Sequence, residues 1–138
     1  MRAHKKLSLF VLVGVLAVAL LGAAATAGVS TANSTAVSKK AVLKGSSAHP
    51  AVTGVATWKS QSGERELEVE IQHAKPLKGK TLWVRIGGKL VGKMTVSSLG
   101  RARLTRDTAA GQSVPTAVGG KSVKVRTAGG ALVASGSF

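Results

Sequence analysis

From Ala51 to the end of the chain the hydrophobic positions recur every second residue, the spacing of a strand with one buried face. Glu64 to Ile71 alternates almost without a break, with Leu67, Val69 and Ile71 on one side and four glutamates on the other. Thr81 to Ile86 repeats the pattern, placing Leu82, Val84 and Ile86 inward and Trp83 and Arg85 outward. Leu90, Met94 and Val96 oppose Lys89, Lys93 and Thr95. Ala102 and Leu104 oppose Arg101 and Arg103, and Val123 and Val125 oppose Lys124 and Arg126. A last strand is expected from about Ala131 to Phe138, and Ala41-Val42-Leu43 marks a short first one. No stretch after residue 28 has the period of an amphipathic helix.

Turn signals separate these runs. Ser62-Gly63, Gly87-Gly88 and Gly129-Gly130 supply the positive φ that tight hairpins need. The pattern predicts an all-β domain over residues 40–138: a small antiparallel sandwich of about six or seven strands, with a small barrel as the alternative. A weak internal repeat aligns Lys80–Val91 with Lys121–Val133, the second copy holding one extra residue before its glycine pair. Gly54–Trp58 aligns with Gly100–Leu104 in the same way. The order of these motifs, with Gly111-Gln-Ser-Val-Pro115 and a Val-Ala-Ser-Gly-Ser-Phe terminus, resembles small exported bacterial all-β, immunoglobulin-like domains of unassigned function over residues 51–138. The resemblance implies a fold and no catalytic residue.

The N-terminus reads as an address. Arg2, Lys5 and Lys6 precede the apolar run Leu7–Leu21, and Ala25-Thr-Ala27 has the form of a cleavage site. Residues 1–27 are expected to be a signal peptide, with an uncleaved membrane anchor as the alternative. Residues 28–39, rich in Ser, Thr and Ala, are expected to be a flexible leader. The expected destination is the periplasm, the cell envelope or the extracellular space. With no cysteine in the chain, an exported domain this small must hold on core packing and backbone pairing.

Charge then narrows the chemistry. Removing Arg2, Lys5 and Lys6 leaves 17 basic residues against 5 acids, a net charge of +12. Such a surface attracts polyanions. The candidate contact residues are Arg85, Lys89, Lys93, Arg101, Arg103, Lys124 and Arg126, on outward positions of several strands. The expected partners are an anionic envelope polymer, a lipid surface or an acidic polysaccharide. Sequence-specific nucleic-acid recognition is not expected, since no aromatic platform accompanies the cations. The outward Trp83 is a candidate for stacking on a sugar ring, which gives a carbohydrate-binding module as the alternative function.

Catalytic motifs are not convincing. Ala74–Thr81 fits a loose phosphate-loop pattern, but a strand follows where a helix is needed, and Pro76 lacks the N–H. Alternate glutamates on one strand stand ~7 Å apart and parallel, so they do not converge on an ion. A Ser–His–Asp set would have to use His49 or His73 with Asp107, and a secreted hydrolase built on His73 and Asp107 is the third reading. No catalytic, cofactor-binding or metal-binding residue is assigned. The sequence thus points to an exported, non-enzymatic structural or adhesive module.

Overall fold

The computed structural model describes residues 35–138, so the signal-like segment and most of the leader lie outside the described residues. Eight strands follow one another: β1 Val37–Gly45, β2 Thr53–Gln61, β3 Glu64–Gln72, β4 Thr81–Ile86, β5 Lys89–Thr95, β6 Ala102–Asp107, β7 Ser122–Thr127 and β8 Leu132–Ser137. A single 3-10 turn, Lys75–Leu77, sits between β3 and β4. All eight strands form one antiparallel sheet in the order β5-β4-β7-β8-β1-β2-β3-β6.

The all-β, antiparallel class follows from the period of two, and the sheet is nearly closed into a barrel. Its edge strands β5 and β6 are brought side by side. A Cβ added to Gly92 of β5 would lie 2.8 Å from a Leu104 methyl of β6. Around the barrel the strands run 1-2-3-6-5-4-7-8. Strands β4, β5 and β6 are consecutive neighbours, with β7 returning to lie beside β4, which is a Greek-key arrangement.

The alternation seen in sequence becomes the inside and outside of this barrel. Leu67, Val69, Ile71, Leu82, Val84, Val123 and Val125 are fully buried, and Trp58 joins them. The two long connections cap opposite ends of the core. Ala74 and Leu77 come from the β3–β4 connection, and Val114 and Val118 from the β6–β7 connection. Trp58 Nε1 donates to the Pro115 carbonyl at 2.9 Å, tying the second cap to β2.

Three expectations shift. The described residues hold eight strands rather than six or seven. The first strand begins at Val37, inside the segment read as a leader, because β1 pairs with β2 from Val37↔Ser60 to Lys44↔Thr53. Leu90 points outward and is 44% exposed, whereas strict alternation put it inside. The β4–β5 register slips between Val84 and Arg85, so Arg85 pairs with Leu90 while Val84 pairs with Gly92. Val91 is the extra residue of a β-bulge, and a one-residue slip exchanges the two faces.

Candidate functional site

The internal repeat is realised as two equivalent hairpins, β4–β5 and β7–β8, whose first strands pair with each other. The pairing is symmetric about Val84↔Val125, two positions that are equivalent in the repeat. On the outer face this gives two related cross-strand pairs, Trp83↔Arg126 and Arg85↔Lys124. Each hairpin carries a bulge at the same place, Val84/Arg85 in one and Val125/Arg126 in the other. Bulges increase twist and re-aim side chains. Here they accompany the same contact twice. Arg85 Nη1 donates to the Gly88 carbonyl at 3.2 Å, and Arg126 Nη1 donates to the Gly130 carbonyl at 2.8 Å. Both glycines have positive φ, so each turn presents its carbonyl back toward the strand.

Each turn thus holds its arginine with one N–H, leaving the rest of the guanidinium fork to face outward. Lys124 is exposed between them. Lys93, paired with Trp83 from the other side, places its Nζ 4.6 Å from the indole centroid, a cation–π contact. A hollow of about 210 Å³ lies beside this block, lined by Trp83, Arg85, Arg126 and the Thr127–Gly130 turn. Lys89 opens β5 opposite the core residue Ile86, so it stands exposed at the barrel rim and not on this outer face.

Four of the seven basic candidates therefore share one wall: Arg85, Lys93, Lys124 and Arg126. The other three do not. Arg101 precedes β6, and Arg103 lies on β6 beside β3. Arg103 Nη2 donates to Glu68 Oε2 at 2.6 Å, and that hydrogen bond and charge raise the guanidinium pKa above its ordinary value, with Glu70 and Glu66 adding to the effect. This arginine is already engaged within the protein.

All five acids of the chain fall on β3 and at the end of β6: Glu64, Glu66, Glu68, Glu70 and Asp107. β3 and β7 are four strands apart in either direction around the barrel. The molecule therefore has one wall that holds its acids and an opposite wall of unneutralised cations. Trp83 is half-buried and outward, as its position in the alternation implied, and the Lys93 ammonium occupies one face of its ring.

The hydrolase pairing does not assemble. His73 follows the end of β3 where Ile71 meets Ala102, and Asp107 sits at the other end of that ladder opposite Glu66. At strand rise the seven residues from Glu66 to His73 span roughly 23 Å. His73 instead pairs its Nδ1 with Thr53 Oγ1 at 3.1 Å. The phosphate-loop-like segment Ala74–Thr81 runs through the 3-10 turn into β4 and opens no helix. Among the described residues no group of three or more His, Cys, Asp or Glu could hold a metal ion, and no helix is long and apolar enough to cross a membrane.

The aligned repeat already sets Arg85 opposite Arg126, each followed by a glycine pair, but the fold of each guanidinium back onto its turn carbonyl is not written in the sequence. No protein-family model matches the chain, and no curated protein matches it in sequence.

Proposed function

We propose that this protein is an exported, non-catalytic module that attaches electrostatically to an anionic polymer or surface through the β5-β4-β7 wall. The observation that carries the reading is the block of Arg85, Lys124, Arg126 and Lys93 around Trp83, with every acid of the chain on the other side. A guanidinium presents paired N–H groups that match carboxylate, sulfate and phosphate oxygens. Tethering Arg85 and Arg126 to their turns reduces the side-chain entropy lost on binding. The indole supports the Lys93 stem and keeps its ammonium over the wall. The glutamate wall repels the same polymer, so binding is oriented. Export rests on the N-terminal pattern, and it makes envelope polymers, lipid headgroups and acidic polysaccharides the relevant anions.

The test titrates purified protein against anionic vesicles, an acidic polysaccharide, duplex DNA and a neutral glucan, each at low and at physiological salt. The reading expects binding to the anionic set, a linear fall of log affinity with log salt, and none to the neutral glucan. Glucan binding that ignores salt and disappears in Trp83→Ala would replace it with carbohydrate stacking.

A further inference from the structure

We infer that the barrel end where β3 begins and β6 finishes carries a second, discrete anion site, built by Arg65 and Arg106, whose ligand is a single oxyanion group such as phosphate or carboxylate. Arg65 shares the inward side of β3 with Leu67, and Arg106 shares the inward side of β6 with Leu104. Leu67 pairs with Arg106. Arg65 is joined to Thr108 by three hydrogen bonds, from Thr108 N to the Arg65 carbonyl at 3.0 Å, from Arg65 N to Thr108 Oγ1 at 2.8 Å and from Thr108 Oγ1 to the Arg65 carbonyl at 3.3 Å. The arginines are therefore diagonal neighbours on the core-facing side, close enough for long side chains to converge. Both Nε atoms are buried, and neither has a hydrogen-bond partner. Arg106 reaches across the seam to β5, where a Cβ on Gly92 would come within 3.1 Å of its Nε.

Both side chains are only partly buried, yet each leaves an Nε–H shut off from solvent without a partner, which costs stability. The acids do not relieve it. The four glutamates alternate with the inward residues of β3 and so stand outside, and Asp107 Oδ1 accepts from Ala109 N at 2.8 Å. An oxyanion at the barrel mouth would accept from both forks and cancel their repulsion. The site is separate from the β4–β7 block, whose arginines occupy outward positions.

Arginine Nε–H NMR signals of the folded protein provide the test. Inorganic phosphate and acetate are titrated in turn, with sodium chloride holding ionic strength constant. The expected result is that the Arg65 and Arg106 signals move and saturate together with one dissociation constant for at least one of the two anions. Signals of Arg85, Arg101, Arg103 and Arg126 should drift without that saturation. Arg106→Lys, followed at Arg65, should weaken the anion about tenfold, and Arg65→Lys should do the same when followed at Arg106. Non-saturating drift of every arginine with both anions would overturn the proposal, as would saturation unchanged in both lysine variants. In Arg85→Glu/Arg126→Glu the saturation should persist, so this site and the polyanion wall stand or fall separately.

Discussion

Gly92 is the residue on which closure of the barrel turns most directly. Its missing side chain lets β5 lie against β6, with the Leu104 methyls 2.8 and 2.9 Å from where a Cβ would stand. Gly92→Ala should therefore destabilise the fold by about 1–3 kcal/mol through overpacking, read as a lower urea midpoint with an unchanged slope. Arg103→Ala should do far less. Its bond to Glu68 is short, but the arginine side chain is 60% exposed, so the loss should stay within ~1 kcal/mol and shrink in salt. Residue-level positions were legible wherever alternation was unbroken, as at Leu67, Val69 and Ile71. They were not legible at Leu90, because one extra residue at Val91 inverts the parity and no local signal marks a bulge. Arg65 and Arg106 share parity with Leu67 and Leu104 in the folded strands, whereas their charge alone marks them as outer residues. Their buried donors were not visible, since those depend on β3, β6 and β5 meeting at one end.

The hairpins are the elements that set the candidate site. Gly87 and Gly88 both have positive φ, at 56° and 83°, so alanine at both should cost about 1–2 kcal/mol per residue. The same double substitution should weaken polyanion binding, because the carbonyl that holds Arg85 belongs to Gly88. The glycine pairs and the repeat were readable in sequence, and they placed the turns correctly. The connection between β6 and β7 was not readable. Val114 and Val118 are isolated apolar residues with no period, and they are buried in a connection that Trp58 ties to the barrel at Pro115. Trp58→Phe keeps an aromatic ring and removes that hydrogen bond. It should cost about 1 kcal/mol and speed amide exchange in residues 113–118 more than in the strands.

At the scale of the whole molecule, the folded chain sorts its charges. Sequence gave a net charge and a set of outward positions, but not the order of strands around the barrel. That order puts Arg101 and Arg103 next to the glutamates and leaves Arg85, Lys93, Lys124 and Arg126 without acids on their wall. Long-range antiparallel pairing such as β4 with β7 has no signature in local periodicity, which explains why the seven candidates could not be divided beforehand. The most direct measurement compares two charge-matched variants, Arg85→Glu/Arg126→Glu and Lys39→Glu/Lys40→Glu, in binding an acidic polysaccharide across a salt series. Both lower net charge equally, and the second pair lies exposed at the start of β1, opposite Trp58 and Thr57 of β2 and outside the row that joins β1 to β7 through β8. The account predicts that the first variant loses at least about tenfold more affinity and has a salt slope shallower by about two, one for each lost contact. Equal losses and equal slopes in the two variants would show that binding reads net charge alone and would contradict an organised cationic wall.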